Sequence, residues 1–438
     1  MKKVITYGTY DMLHYGHVRL LERAKALGDY LIVGVTAEDF DKTRGKINVE
    51  QSLVERMEAV RATGLADEII VEEYEGQKID DIQRYDVDIF TVGSDWRGYF
   101  DYLNEYCQVV YLDRTEGISS TEIRSDRQSL KMGFVGSGPV LEKYLGESSY
   151  VNGMEVSAQL IASSIGEKNQ GDFNELLSSA DAVFLATHPD GHATEVEHAL
   201  NAGVHILCES PIAKTAAEAQ KLHDIACSKG LVLMDAIKTA YAMAYTRLLL
   251  LAKSGRIGKI VSVDANCSGM SGFEQGNGES VCQGAMDYWG ATAFLPIIQL
   301  LGINPVEETF SSFGSQDASG FDLFTRGVFS YKDAMASFKV GRSVKTEGEL
   351  VVSGTKGYIY VPAPWWKTDY FEIRYEDQNS NKRYFYQLDG EGIRNQLLAF
   401  SRVIEKGSFP RRVSAEESIA IAGLFEHYSR GKVTSFIE

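Results

Sequence analysis

Residues 4–18 read V-I-T-Y-G-T-Y-D-M-L-H-Y-G-H-V, and the order of residue types in them sets the class of the chain. The run opens apolar, turns at Gly8 and then starts a helix, a strand–turn–helix corner. At such a corner the N–H groups of the first helical turn and the positive end of the helix dipole converge on a phosphate. His14 and His17 stand three residues apart, so from that turn both imidazoles face one point. Residues 114–121, R-T-E-G-I-S-S-T, follow about a hundred residues later. There Gly117 opens a turn ahead of an expected helix, Arg114 offers a planar bidentate cation, and Thr115, Ser119, Ser120 and Thr121 add hydroxyls.

Outward from the first corner, strand and helix alternate through the first 130 residues, from K-K-V-I-T-Y to C-Q-V-V-Y-L. That alternation implies an α/β unit with a doubly wound parallel sheet and its ligand at the carboxyl ends of the strands. At Lys131 the pattern restarts with K-M-G-F-V-G-S-G, a second Rossmann-like unit. From about Gly258 the sequence becomes strand-rich, which reads as a mostly antiparallel sheet with helices on one face and two closing helices near 393–404 and 415–428. The expected domains are 1–129, 130–257 and 258–438, as a chain of 438 residues exceeds one ordinary core. The polar segment 122–130 reads as a helical hinge between the first two.

The chain carries 44 Lys+Arg against 61 Asp+Glu, a formal charge of −17. This disfavours nucleic acid or an anionic membrane as partner, and any bound phosphate must meet a local basic cluster. The N-terminus enters a strand directly, with no signal peptide and no membrane span, so a cytoplasmic protein is expected. Five cysteines lack any C-x-x-C spacing and read as reduced, buried thiols, with no protein metal site.

The H-x-G-H run and the R-T-E-G-I-S-S-T run together resemble the nucleotidyltransferase superfamily, and within it the glycerol-3-phosphate cytidylyltransferases, over residues 2–124. The resemblance implies attack of a small polyol phosphate on the α-phosphorus of CTP, with Mg²⁺ accompanying the nucleotide and pyrophosphate leaving. A phosphate monoester, with a second pKa of about 6, is already largely dianionic at neutral pH, so such a site must stabilise charge rather than remove protons. His14 and His17 are the expected phosphoryl-stabilising groups, and Lys46 and Arg114 share the catalytic role. Gly8, Thr9, Tyr10, Asp11 and Gly16 form the CTP turn, with Arg44, Thr115, Ser119, Ser120 and Thr121 on its phosphates. Lys42 belongs to the same basic stretch. Asp95 and Trp96, in G-S-D-W, resemble the cytosine-recognising corner, although family members often carry an acid where Ser94 stands; Trp96 reads equally well as core. The family pattern places a second arginine one short helix after Arg56; here Gly64 stands there, with Arg61 one turn earlier. CDP-glycerol or a related product would feed teichoic-acid-like or capsular polymer synthesis, and a homodimer or higher homo-oligomer is expected.

From residue 131 onward the chain resembles the Gfo/Idh/MocA oxidoreductases through G-F-V-G-S-G, A-T-H-P-D-G-H, A-G-V-H-I-L-C-E-S-P-I-A, K-T-A-Y and K-S-G-R-I-G-K-I. That implies NAD(P) on Gly136, Ser137, Gly138, Thr187, His192 and Glu209. The family's glutamate-lysine-proline reads Glu209-Ser210-Pro211, and its acid and its His or Tyr align with Tyr288 and Thr292. Leu141 replaces the third small residue of the glycine turn, which would crowd the helix against the strand. No acid stands at the second strand's end, and a helix is missing after it. Lys238 is the candidate replacement acid. Three readings stay open: a working reductase that makes the polyol phosphate, a degenerate fold kept for dimerisation or regulation, and a domain that binds a ligand without reducing it. His188 and His192 also read as cap or scaffold, and Trp365 and Trp366 as packing.

Overall fold

Why the chain folds as it does begins with its predominantly apolar strands. The computed structural model describes residues 1–37, 51, 53–73, 76–113, 129–151, 153–270, 283–314, 321–386, 388–406, 411–431 and 434–437. These divide into two compact units, Met1–Ser129 and Leu130–Glu438.

In the first unit, β1 (Lys3–Gly8), β2 (Tyr30–Thr36), β3 (Glu68–Glu72), β4 (Ile89–Gly93) and β5 (Gln108–Leu112) form a parallel sheet in the order β3-β2-β1-β4-β5. Buried runs such as Val4–Ile5 and Leu31–Val33 suit a sheet covered on both faces. Helices α1 (Tyr15–Lys25), α2 (Leu53–Ala62) and α3 (Gln77–Tyr85) make the crossovers. The strand order reverses between β1 and β4, so a crevice opens at their carboxyl ends.

The second unit starts with another parallel sheet, β6 (Leu130–Gly136), β7 (Met154–Ile161), β8 (Ala182–Ala186), β9 (His205–Cys208) and β10 (Leu233–Asp235), ordered β10-β9-β8-β6-β7. Its helices are α4 (Pro139–Ser148), α5 (Gln170–Ser179), α6 (Pro189–Asn201) and α7 (Ala216–Ser228), followed by α8 (Met243–Lys253). One helix, α5, makes the crossover from β7 to β8. Leu141 does not force α4 off the sheet: the helix starts at Pro139, packs on β6 and β7, and takes Leu141 into the core at 3% exposure.

A nine-stranded sheet completes this unit. Its strands are β11 (Ile260–Gly269), β12 (Glu307–Gly314), β13 (Asp322–Ser330), β14 (Met335–Arg342) and β15 (Leu350–Gly354). Then come β16 (Tyr358–Val361), β17 (Tyr370–Arg374), β18 (Lys382–Phe385) and β19 (Thr434–Ile437). The pairs β11/β14 and β12/β19 are parallel and the rest antiparallel, so the sheet is mixed. Sequence patterning missed its main helix, α9 (Ala285–Leu301), which packs on β11, β13 and β14. That helix is apolar on nearly every side and contains Pro296, so it shows no amphipathic stripe. The expected closing helices appear as α10 (Ile393–Lys406) and α11 (Ala415–Arg430), the latter begun by a Ser414/Glu417 capping box.

Of the cysteines, Cys208 and Cys267 are buried, Cys107 is half-buried and Cys227 is exposed, while Cys282 lies outside the described residues. The expectation of buried thiols therefore fails at Cys227, on an outer turn of α7. No helix among the described residues is long and apolar enough to cross a membrane.

Candidate functional sites

The first corner is built from local chemistry. His14 is the N-cap of α1, and its Nδ1 accepts the Gly16 N–H at 3.1 Å. That bond fixes the ring so that it lies over His17, with centroids 3.9 Å apart and planes within 21°. Tyr10 meets the outer side of His17 edge-on at 5.6 Å. The turn between strand and helix is tightly wound, with Tyr10 and Met12 both at positive φ (53° and 47°). A side chain at Gly8 would press within 3.0 Å of the Tyr10 ring.

Arg56, the arginine from which the family pattern counts its second, holds this turn. It is fully buried, and its guanidinium donates to the carbonyls of Thr9 (2.7 Å), Thr36 (2.8 Å) and Gln51 (3.1 Å). Gln51 in turn donates its N–H to Asp11 Oδ1 at 3.0 Å and accepts the Met12 N–H at 2.8 Å. The carboxylate of Asp11 therefore serves the turn. Arg61 is exposed and paired with Glu58 on the same helix, and Gly64 sits in a left-handed turn (φ 67°).

Across the switch point, β4 runs into the short turn Ser94–Trp96. Asp95 is exposed and Trp96 is 38% exposed, its ring against Tyr99 and Phe100. Trp96 is therefore a rim residue rather than core. The histidine pair and this turn stand at the carboxyl ends of β1 and β4, neighbours in register from Val4↔Ile89 to Thr6↔Thr91. Lys42, Arg44, Lys46, Arg114, Thr115, Ser119, Ser120 and Thr121 lie outside the described residues, as does most of the expected hinge. The strands that precede those two segments in the chain, β2 and β5, end at the same edge of the sheet.

The second corner has the same backbone plan and different side chains. Gly136 (φ 145°) and Gly138 (φ 79°) flank Ser137, and a methyl group on Gly136 would lie 2.4 Å from the Ala186 carbonyl oxygen. Ser137 is 6% exposed, and its Oγ has no hydrogen-bond partner among the described residues. A crevice of about 510 Å³ opens here, bounded by the glycine turn, the ends of β8–β10, α9 and the loop before α10.

Thr187 lines the crevice but spends its hydroxyl on Glu195. His192 is fully buried, with Nδ1 2.8 Å from the Pro211 carbonyl and Nε2 3.1 Å from that of Thr187. Burial lowers the pKa of the ring and favours its neutral form, whose single N–H donates to one of the two carbonyls, a scaffold's position between two loops. His188 caps α6 by accepting the Asp190 N–H. Ser210, standing where the family has lysine, donates to Asp235 at 2.7 Å. Glu209 is half-buried in the crevice wall, and burial, opposed by the nearby Lys238 ammonium, pushes its pKa up to about 8.

Several crevice residues had escaped the sequence reading. Asp287, one position before the aligned Tyr288, receives Lys214 Nζ at 3.2 Å. Tyr288 lies under the Arg342 guanidinium at 4.9 Å, and Trp366 packs on Trp289 at 4.7 Å. Lys238, expected as a proton donor, is ion-paired with Glu391.

The cytidylyltransferase-like family model matches residues 5–126, and the model of an oxidoreductase family with an NAD-binding Rossmann fold matches residues 149–236. A glycerol-3-phosphate cytidylyltransferase of Bacillus spizizenii is 52% identical over 130 residues, 30% of this chain and 100% of that one. One from Staphylococcus aureus is 48% identical over 129 residues, 29% of this chain and 95% of that one. Among solved structures, a 3-ketoreductase from Actinomadura kijaniata, described in complex with NADP, shares the fold of the second unit. It superposes with a TM-score of 0.60 at 18% identity, covering 71% of this chain and 99% of that one. By its match to the whole of such relatives, the chain belongs to the glycerol-3-phosphate cytidylyltransferase family, and it continues into an oxidoreductase-type Rossmann fold with an open sheet.

Proposed function

We propose that the first unit joins CTP and glycerol 3-phosphate, or a closely related polyol phosphate, to give the CDP-polyol and pyrophosphate. The observation that carries this is the stacked pair His14 and His17, two imidazoles on one helical turn at the switch point of a parallel sheet. In this reading the phosphate monoester attacks the α-phosphorus in line, and the imidazoles donate to the oxygens on which charge builds. The turn from Gly8 to Asp11, with Gly16, lets the backbone approach the triphosphate. Lys46, Arg44, Arg114, Thr115, Ser119, Ser120 and Thr121 complete the phosphate contacts, and Asp95 and Trp96 meet the base. Mg²⁺ would arrive on the nucleotide's own phosphates: Asp11 is buried and bonded to the Gln51 N–H, and no group of three or more His, Cys, Asp or Glu among the described residues is arranged to hold an ion. The test is pyrophosphate release from CTP, Mg²⁺ and glycerol 3-phosphate by the purified chain; inactivity with glycerol, ribitol and erythritol phosphates alike would remove the assignment.

A second reading, that the crevice of the second unit still takes NAD(P), is favoured by Ser137. Its hydroxyl is buried, without a partner among the described residues, and sits between two glycines at the N-terminus of α4, the arrangement a pyrophosphate needs. The dinucleotide, when bound, supplies hydride. Gly136, Ser137 and Gly138 would hold its phosphates, with Thr187, His192 and Glu209 shaping the floor. After β7 the chain reads Ala162-Ser163-Ser164, with no carboxylate to accept a ribose 2′-hydroxyl, so NADPH is the better candidate. Fluorescence titration with NADPH tests this; a dissociation constant weaker than millimolar contradicts it.

A further inference from the structure

Among the described residues, a dense group of cations facing the second crevice converges on a single carboxylate. Glu391 is ion-paired with Lys238, lies 3.2 Å from Lys143 Nζ and lies 3.5 Å from Lys367 Nζ. The three lysines come from α4, from the turn after β10 and from the turn before β17, and with Glu391 they line the cavity. In a chain of net charge −17, three ammonium groups gathered on one acid leave a local excess of two positive charges. The carboxylate's own pKa is drawn down to about 2: burial alone would raise it, and the ammonium of Lys238, with that of Lys143, outweighs it.

The loop that delivers Glu391 is costly to form. Gly390, Glu391 and Gly392 all hold left-handed backbone (φ 61°, 53° and 88°), and Glu391 is the one with a side chain to clash. Such a residue persists only where its surroundings enforce it. They do so here, because Gly392 lies so close to the Lys238 carbonyl that a methyl group would sit 2.5 Å from the oxygen. The cluster is also accessible: side-chain exposures are 51% for Lys143, 41% for Lys367, 28% for Glu391 and 25% for Lys238.

We propose that Lys143, Lys238 and Lys367 form a phosphate subsite, that the Glu391 carboxylate occupies it when the crevice is empty, and that its ligand is a phosphomonoester of a short polyol or ketose. A dianionic phosphate offers three terminal oxygens to three ammonium groups and satisfies the charge that one carboxylate leaves unmatched. The site lies beside Glu209 where α4 and the turn after β10 meet the crevice, with Lys143 little more than one turn into the helix that the glycine corner opens. This gives Lys238 an anchoring role in place of the proton-donor role expected from sequence. It rests on the reading that the crevice binds small molecules, and it links the two units chemically, since both would then handle phosphorylated polyols.

The test is calorimetric titration of the full chain with glycerol 3-phosphate, with glycerol as control. Wild type is expected to show a binding component that Lys143→Met/Lys367→Met loses and that Glu391→Gln tightens about tenfold, with pyrophosphate release by the first unit unchanged in both variants. Identical isotherms in all three chains, or weaker binding in Glu391→Gln, would overturn the subsite and leave Glu391 as a structural anchor. A parallel NADPH titration separates the sources of phosphate. If the double lysine variant loses NADPH affinity and keeps its glycerol 3-phosphate component, the cations serve the dinucleotide and the proposal fails. If NADPH binds no chain while that component persists, the dinucleotide reading fails and the subsite stands.

Discussion

The two glycine corners, one after β1 and one after β6, share a backbone plan and differ in where they keep their chemistry. After β1 the reacting groups sit inside the turn itself, His14 as the helix cap and His17 one turn on. After β6 the turn carries only glycines and a serine, and the charged groups that face the crevice come from α4 and from distant segments, Lys143 on the first and Lys238, Lys367 and Glu391 on the others. The lesson is that a phosphate-binding corner is a generic device, and that its function is set by what surrounds it.

The comparison breaks most visibly at the histidines. His14→Ala or His17→Ala is expected to lower pyrophosphate release by about 10²–10³-fold, the usual cost of one preorganised donor to developing charge, while NADPH binding stays within twofold. A loss much smaller than tenfold in both variants would mean that the charge is stabilised elsewhere. Gly136→Ala is the mirror experiment. Its methyl group would collide with the Ala186 carbonyl, so NADPH affinity should fall more than tenfold with no change in pyrophosphate release.

A smaller effect, on stability, separates the supports of the two corners. Arg56→Met leaves the carbonyls of Thr9, Thr36 and Gln51 without their charged donor, and should cost about 3 kcal/mol in unfolding of the first unit. An unchanged melting temperature would show the turn to be self-supporting. A further stability effect is a pH slope, comparable in size. Glu209 rises from the ordinary 4.5 to about 8 in the fold, burial being the main cause. The folded chain therefore keeps a proton that the unfolded chain has lost, and stability falls as pH rises between those values. Glu209→Gln should flatten that part of the profile; an unaltered slope would place its source elsewhere.

How legible all this was in the sequence follows from how local each feature is. The histidine corner could be read because strand, glycine, cap and histidine spacing lie within fifteen residues. Both parallel sheets were legible for a similar reason, since strand and helix patterns alternate along the chain. Helix α9 was not, as a helix apolar on nearly all sides has no periodic stripe, and Pro296 speaks against it. The role of Arg56 was hidden because the carbonyls of Thr9, Thr36 and Gln51 that it serves come from separate parts of the chain. The lysine cluster was hidden because it joins residues 143, 238, 367 and 391, which no spacing relates. The crowding expected of Leu141 failed because the core takes its side chain without displacing α4.

The central claim is that the stacked imidazoles hold the α-phosphate of CTP while a second phosphate displaces pyrophosphate. A crystal structure of the chain with bound CTP tests it most directly. The account predicts α-phosphate oxygens within hydrogen-bond distance of His14 and His17 Nε2, and the cytosine toward Asp95 and Trp96. CTP bound with its α-phosphate out of reach of both rings would contradict it.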